Sequence, residues 1–398
     1  FEPSGPHRVG AMDLLTKHGK SGVLIRLFYP SGIRTPDHAV EGVRSYTTPE
    51  CIQGALAAMG HSYWISTLLN WGFSMLRLRC DWRAEAVGEQ LPAIVLSHGL
   101  GGSRHLYSSL SLELASHGFV VAAVEHRDGS ACATFYAEPP ADEGSRGDGP
   151  KASRVSWLPL QRAALDDVPL RNGQAEQRAA ECLEAAETLC LLTRSGSAEV
   201  SNRMPDSDCG PDADARMLDQ FKGRIDEKRI HLVGHSFGGA SALTALSTAP
   251  TGLFRTCTLM DCWMLPVGEQ RYSGFAPLPV LFLNNDSYHW ETNAKRLETV
   301  MAGIADPELK TCVSIRGTNH LAQMDAGFFL WPRLARRIGL CGEKPPVEAT
   351  ILTADICRAF IAKHEGTALT ELQQRLLSGE DASCFPGLSW HPDTGRPG

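Results

Sequence analysis

A strand, a sharp turn and a helix are predicted in direct succession around one glycine-rich block, Gly234-His235-Ser236-Phe237-Gly238. The block follows the apolar run 229–233, which is typical of a buried strand, and precedes small apolar residues that suit a helix. Glycines on both sides of the serine allow helix and strand to approach closely. Ser236 is therefore expected at a strained turn above the edge of a sheet.

Compact apolar runs recur along the chain and alternate with segments of helical periodicity. Continuous apolar runs of this length suit strands that are covered on both faces of a parallel sheet. The alternation predicts an α/β fold with a mainly parallel central sheet flanked by helices. The predicted strands occupy residues 22–29, 91–97, 119–125, 229–233, 254–260, 278–283 and 311–315.

Length and composition exclude several classes of protein. The 398 residues allow one or two domains. An apolar content of 43% and a charged content of 21% exclude collagen, coiled coil and wholesale disorder. A net charge of −7 without a basic stripe argues against nucleic-acid binding. The 12 cysteines include no Cys-x-x-Cys pair, so a zinc ribbon or a disulfide scaffold is not expected, and most of them should be small core residues.

The strand–turn–helix setting makes Ser236 a candidate nucleophile, although a glycine-rich turn without chemistry is the alternative. A serine hydroxyl needs a base to remove its proton. In α/β hydrolases the acid and then the histidine follow the serine along the chain, which selects His320, after the predicted strand 311–315, as the base. Asp261 and Asp286 each follow a predicted strand, and the order of residues alone leaves both open as the acid.

A tetrahedral intermediate needs preorganised backbone donors for its oxyanion. The N–H of Phe237, directly after the candidate nucleophile, is one expected donor. The N–H of Leu100, in the glycine-rich loop 97–102, is the other. A phosphate-binding loop is the alternative for 97–102, but neither Gly-Lys-Ser/Thr nor Gly-x-Gly-x-x-Gly occurs there.

Six blocks between residues 5 and 330 carry a family resemblance. They are GPHRVG (5–10), IRLFYP (25–30), LSHGLG (96–101), LASHGFVVAAVEHRD (114–128), GHSFGGA (234–240) and MDCWMLP (260–266). In these blocks the chain resembles the platelet-activating factor acetylhydrolases of the plasma and intracellular type II group, the lipoprotein-associated phospholipase A2-like enzymes. The resemblance implies an α/β-hydrolase fold. It also implies that Asp261, in the Asp-x-Trp-Met-x-Pro block, is the acid.

The resemblance implies a serine hydrolase that cleaves the sn-2 acetyl or other short acyl ester of platelet-activating factor and of related or oxidised phospholipids. The products would be a lysophospholipid and acetate or another short acid. No cofactor and no metal, calcium included, is expected, because a serine attacks and backbone amides hold the charge. Leu321 and Cys262 depart from the residues that the family often has there, which bears on acyl-chain preference. The residues expected to line the pocket are His98, His235, Trp263 and Leu321.

Two other functions are compatible with the same residues. One is a general carboxylesterase or lipase of the α/β-hydrolase fold. The other is a non-catalytic lipid-binding relative, against which the intact serine, aspartate and histidine argue.

An uncharged stretch, residues 51–76, is interrupted too often by polar residues for a confident membrane span. Its second half places apolar residues at helical spacing beside two tryptophans, and arginines follow. This pattern predicts a helix in a membrane or lipoprotein interface, and a helix packed on the core or over the pocket is the alternative. The residues expected to contact lipid are Trp64, Ile65, Leu68 and Leu69.

The positions of the motifs predict one α/β-hydrolase domain over 1–398, with its core at about 5–365. Polar insertions at 138–153 and 196–215 are expected to be solvated loops, and 366–398 a polar tail. The Asn285-Asp286-Ser287 sequon is expected to stay unmodified. Because the chain begins at Phe1, a fragment or processed form is expected. Its location is left open between the cytoplasm, with peripheral membrane association, and secretion. The expected partners are a phospholipid substrate and a membrane or lipoprotein surface.

Overall fold

A ten-stranded sheet forms the centre of the protein in a computed structural model that describes residues 1–33, 44–58, 76–138, 154–205, 210–275, 277–287 and 289–391. The strands of this sheet, in chain order, are β1 (His7–Leu15), β2 (Leu24–Ile33), β5 (Asp81–Trp82), β6 (Leu91–Ser97), β7 (Val120–Glu125), β10 (Ile225–His235), β11 (Thr256–Met260), β12 (Val280–Asn285), β14 (Lys310–Ile315) and β15 (Cys384–Pro386). Their spatial order is β15-β14-β12-β11-β10-β6-β7-β2-β1-β5. Three two-stranded sheets pair β3 (Arg44–Ser45) with β4 (Arg77–Leu78), β8 (Ala133–Ala137) with β9 (Val155–Pro159), and β13 (His289–Trp290) with β16 (Trp390–His391).

The six central strands, from β7 across β6, β10, β11 and β12 to β14, run parallel. Antiparallel strands complete both sides, with β2 and β1 beyond β7 and β15 beyond β14. All six residues of β7 and all five of β11 are buried, as strands covered by helices on both faces require. The predicted α/β fold with a mainly parallel sheet is confirmed.

Helices cover both faces of the sheet. On one face α3 and α5 share an apolar core with the strands. On the other face α2 and α8 form a second core. The helices are α1 (Pro49–Ala58), α2 (Ser108–Ser116), α3 (Val168–Arg194), α4 (Gly210–Asp219), α5 (Phe237–Leu246), α6 (Glu291–Gly303), α7 (Pro332–Arg337), α8 (Pro346–His364) and α9 (Glu371–Ser378).

Parts of the predicted loop and tail have regular structure. The loop predicted at 196–215 is wrong for its last residues, because α4 begins at Gly210. The predicted core limit at residue 365 is too early, because β15 pairs with β14 and extends the main sheet. Helix α9, between residue 365 and β15, has a capping box at Thr370 and a left-handed Gly379 at its end.

The stretch predicted to face lipid lies mostly outside the described residues. Of its residues 51–76, helix α1 includes 51–58, and the candidate lipid contacts Trp64, Ile65, Leu68 and Leu69 are not among the residues described. Within the described ranges, no helix combines the length and apolar character that crossing a bilayer requires.

Candidate active site

Ser236 stands at the sharp turn between β10 and α5, as the sequence predicts. Its backbone has φ 57° and ψ −117°, a conformation that a side-chain-bearing residue adopts only under constraint. The turn depends on glycine: a Cβ on Gly238 would lie 2.0 Å from the carbonyl oxygen of Ser97. A Cβ on Gly234 would lie 2.1 Å from the carbonyl oxygen of Gly238. Only glycines at these positions let the helix start so close to the strands.

Asp261 and His320 meet at the edge of the sheet where the carboxyl ends of β11 and β14 lie. Asp261 follows β11, and His320 opens a short 3₁₀ turn, His320–Gln323, after β14. His320 Nδ1 donates to Asp261 Oδ2 across 3.0 Å, and the Asp261 side chain is fully buried. Asp261 also has a positive φ of 43°, so this backbone, like that of Ser236, is constrained at the site.

Asn285, at the end of β12, holds the carboxylate of Asp261. Its backbone N–H donates to Asp261 Oδ1 at 2.8 Å, and its Nδ2 donates to Asp261 Oδ2 at 2.6 Å. Sequence reasoning considered this residue only as a possible glycosylation site. Its position at the end of a parallel strand beside β11 was the available signal, because ligands and catalytic groups gather at those ends. Asn285 is buried, in keeping with an unmodified sequon.

The loop 97–102 lies directly against the serine. A Cβ on Gly99 would be 3.2 Å from the Cβ of Ser236. The Gly99 carbonyl accepts from His98 Nδ1 at 2.8 Å and from the Gly102 N–H at 3.0 Å. Because a trans peptide is planar, fixing this carbonyl turns the Leu100 N–H to the opposite side. Phe237 is the first residue of α5, where N–H groups have no partner within a helix.

His235 packs beside His320 rather than reaching solvent. The two rings lie 4.5 Å apart with an interplanar angle of 34°. Tyr107 accepts from the Gly99 N–H at 3.0 Å and donates to His235 Nδ1 at 2.6 Å, so one hydroxyl links the glycine-rich loop to the residue before the serine. No sequence pattern pointed to Tyr107.

Burial keeps the imidazoles of the site neutral. It lowers the pKa of His320 from 6.5 to about 3. Burial also lowers the pKa of His235 to about 3, and the neighbouring His320 adds to this effect. His320 is therefore neutral at pH 7, which is the protonation state from which a general base acts.

His235, Asp261 and His320 are also residue types that bind metals, and one ligand atom of each lies within 4.8 Å of the others. Two atoms of this group already have protein partners. Asp261 Oδ2 accepts from Asn285 and from His320, and His235 Nδ1 accepts from Tyr107. The printed hydrogen bonds therefore join His320 to Asp261 and join His235 to Tyr107.

The other residues predicted for the site differ in how far they are buried. Trp263 is buried, donates its backbone N–H to the Ser236 carbonyl at 3.1 Å, and packs its ring edge-to-face on Phe237 at a centroid distance of 5.4 Å. Leu321 is partly exposed next to His320, whereas His98, within the loop 97–102, is fully buried. Asp286, the other candidate acid, accepts from the Gly317 N–H at 2.8 Å. The lining of a pocket by these residues stays a prediction.

Comparison with known proteins gives consistent matches along the chain. Residues 2–382 match the family described as platelet-activating factor acetylhydrolase, isoform II. A platelet-activating factor acetylhydrolase of Bos taurus is 33% identical over 390 residues, which cover 97% of this chain and 82% of that protein. A putative phospholipase A2 of Schizosaccharomyces pombe is 27% identical over 285 residues, covering 63% of this chain and 62% of that one.

A solved structure shares the fold. A ferulic acid esterase from Streptomyces cinnamoneus superposes with a TM-score of 0.62 at 18% identity, covering 94% of this chain and 95% of that one.

Proposed function

Because the chain belongs to the platelet-activating factor acetylhydrolase, isoform II, family, we propose that it is a serine hydrolase of phospholipid esters. Its proposed substrates are platelet-activating factor and related or oxidised phospholipids that carry a short sn-2 acyl chain. The Bos taurus relative carries the name of this activity at 33% identity over nearly the whole chain. The observation that supports the proposal at the site is the 3.0 Å bond between His320 and the buried Asp261, beside a serine at a strained turn.

The proposed reaction follows from these groups. His320 takes the proton of Ser236 Oγ as the oxygen attacks the sn-2 carbonyl carbon. Asp261 keeps the His320 proton on Nδ1, so Nε2 is the ring nitrogen that acts as the base. The Leu100 and Phe237 amides bind the oxyanion. His320 then protonates the departing lysophospholipid oxygen, and water, activated by the same histidine, releases acetate or a short acid from Ser236.

The proposed reaction needs no calcium, because a serine is the nucleophile and backbone amides hold the charge. We expect hydrolysis of the acetyl substrate to continue at full rate in excess EDTA, and a fluorophosphonate probe to label the wild-type protein. Ser236→Ala should lose both labelling and hydrolysis. Ser247→Ala, at the other end of α5, should keep both.

Three results would contradict the proposal. Loss of activity in EDTA that calcium restores would remove the metal-free mechanism. Faster cleavage of long than of acetyl sn-2 chains would favour the general lipase. Absence of labelling in the wild-type protein would favour a non-catalytic lipid-binding protein.

The proposal includes docking on a lipid surface, and helix α7 offers a face for it. Trp331, Leu334 and Ile338 have the i, i+3, i+7 spacing of one helix face and are 86%, 48% and 55% exposed. Exposed arginines alternate with them in the same segment: Arg333, Arg336 and Arg337. Apolar side chains flanked by arginines suit the interface of an anionic membrane.

This face lies close to the proposed base. Asn319, the residue before His320, donates from Nδ2 to the Gly339 carbonyl just after α7, at 2.9 Å. A lipid surface that contacts α7 would therefore sit beside His320 and deliver substrate from the membrane. The contribution predicted for Trp64, Ile65, Leu68 and Leu69 remains a proposal alongside this one.

A further inference from the structure

Helix α3 passes beneath the glycine-rich loop 97–102 and carries a fully buried arginine, Arg178. Its Nε lies 3.4 Å from a carboxylate oxygen of Asp128. A buried guanidinium is costly unless its donors are used, so the positions of its other contacts are informative. They lead to both sides of the proposed oxyanion hole.

The first contact is with the loop that carries Leu100. Arg178 Nη2 donates to the His98 carbonyl at 2.8 Å. His98 Nε2 accepts from the His126 N–H at 3.2 Å, so the ring proton is on Nδ1 and is donated to the Gly99 carbonyl. Arg178 Nη2 also lies 3.1 Å from this Nδ1, so it contacts both the backbone and the ring of His98. Arg178 thus holds the residue whose ring fixes the Gly99–Leu100 peptide.

The second contact is with the helix that carries Phe237. Arg178 Nη1 donates to Ser241 Oγ at 3.1 Å, and Ser241 Oγ donates to the Phe237 carbonyl at 2.8 Å. The guanidinium carbon also lies 4.4 Å from the centre of the Phe237 ring. A planar guanidinium can donate in two directions and stack at once, which a lysine ammonium cannot do.

A second side chain of α3 braces the same loop. Glu181, one turn after Arg178, accepts from His126 Nδ1 at 2.7 Å, and His126 Nε2 lies 2.7 Å from Ser97 Oγ. With Ser97 held from one side and His98 from the other, the start of the loop is tied to α3 at two points.

We propose that Arg178 is a positioning residue that sets the separation and direction of the Leu100 and Phe237 amides. It touches no reacting atom. Its effect is exerted through His98 on one donor and through Ser241 and the Phe237 ring on the other. The inference rests on the proposed function, because it concerns the oxyanion hole of that reaction.

The test compares Arg178→Lys with a control of the same kind. Arg26 is also buried, donates to the carboxylate of Asp13 and to the Tyr46 carbonyl, and lies over the ring of Trp82. It belongs to β2, which β7 separates from β6 in the sheet. Arg26→Lys should lower the melting temperature about as much as Arg178→Lys. Only Arg178→Lys should lower kcat, by about 10- to 100-fold, with KM changed less than about threefold, because the lost alignment matters in the transition state.

A direct readout is the ionisation of a bound trifluoromethyl ketone. Such a ketone forms a hemiketal with an active serine, and the ¹³C shift of its former carbonyl carbon reports the pKa of the hemiketal oxygen. We expect the oxyanion to be the bound form at pH 7 in the wild-type and Arg26→Lys proteins. In Arg178→Lys the hemiketal pKa should rise by about one to two units, as weaker hydrogen bonding to the charged form requires.

Ser241→Ala removes one link and should fold even if Arg178→Lys does not, because alanine suits a helix interior. It should raise the hemiketal pKa in the same direction by a smaller amount. Unchanged hemiketal pKa and unchanged kcat relative to the Arg26 control would overturn the inference. A wild-type protein that forms no hemiketal would contradict the proposed function itself, and the inference would fall with it.

Discussion

Asp261 illustrates how much one residue at this site depends on its neighbours. Three donors converge on its two oxygens, two from Asn285 and one from His320. These hydrogen bonds fix the direction of the carboxylate, which holds the histidine proton on Nδ1. The side chain therefore orients His320, and Asn285 orients the side chain.

Replacing Asp261 by Asn should lower kcat by about 10⁴-fold, because an amide at this position favours the wrong histidine tautomer. Asp286→Asn should cost less than tenfold, since Asn keeps an oxygen that can accept from the Gly317 N–H. The measurement is steady-state hydrolysis of the acetyl substrate by both variants at matched melting temperature. A large loss in Asp286→Asn with Asp261→Asn near wild type would reverse the assignment of the acid.

Helix α7 shows how a short element can provide a surface that the sequence did not single out. It has only six residues, of which Ala335 alone is buried. Trp331, Leu334 and Ile338 keep about half or more of their surface exposed, and three arginines lie in the same segment. Such a patch is costly in water unless another apolar surface covers it part of the time.

The double variant Trp331→Ser/Leu334→Ser should bind vesicles of phosphatidylserine and phosphatidylcholine at least about tenfold more weakly, because each side chain contributes roughly 1 kcal/mol or more when it enters lipid. Hydrolysis of a soluble acetyl ester should stay within about twofold. Co-sedimentation and a spectrophotometric ester assay measure the two effects.

The matched control for this prediction is Leu372→Ser. Leu372 is 53% exposed on α9, comparable to Leu334 at 48%. Equal vesicle binding by the control and the double variant would contradict docking through α7. A parallel loss on the soluble ester would indicate that α7 supports the fold of the His320 loop instead.

At the scale of the whole molecule, we propose that the chain forms a single α/β-hydrolase domain. The main sheet contains β1, which begins at His7, and β15, which ends at Pro386, so its strands come from nearly the full described length. The proposed site draws on loops after β6, β10, β11 and β14. A boundary between two independent domains would have to cut this sheet.

The burial of several histidines makes the stability of the folded molecule sensitive to acid. Burial lowers the pKa of several imidazoles: His98 and His126 fall well below 6.5, and His105 to about 4. Below pH 6.5 these histidines bind protons in the unfolded chain but not in the folded protein, so the free energy of unfolding falls as the pH falls. Buried carboxyls act in the opposite direction: burial raises the pKa of Glu125 to about 8 and that of Asp325 to about 6, so the folded state takes up their protons first.

We expect the melting temperature to drop between pH 7 and pH 5 in one cooperative transition, because among the described residues seven imidazoles have a lowered pKa and five carboxyls have a raised one. Each pKa unit of depression is worth about 1.4 kcal/mol once the unfolded imidazole is protonated. Differential scanning calorimetry across this range measures both the drop and the number of transitions. A melting temperature that is constant or rises towards pH 5, or two separate transitions, would contradict this account.

Local sequence determined the parts of this protein that depend on neighbours in the chain. Apolar runs predicted the parallel strands, and the glycines around Ser236 predicted the turn, because steric limits on the backbone act within a few residues. The order of residues also selected His320, but it left Asp261 and Asp286 open, and the family resemblance, not spacing, favoured Asp261.

Tertiary structure decided what depends on contacts between distant segments. The Asn285 donors to Asp261, the Tyr107 link to His235 and the Arg178 contacts all join side chains from different elements. The strand at Cys384–Pro386 exists because it pairs with β14. Trp331 is exposed because few other parts of the described structure pack against its side chain. Apolar periodicity cannot predict these features, because hydrogen-bond partners and exposure are set only when the chain is folded.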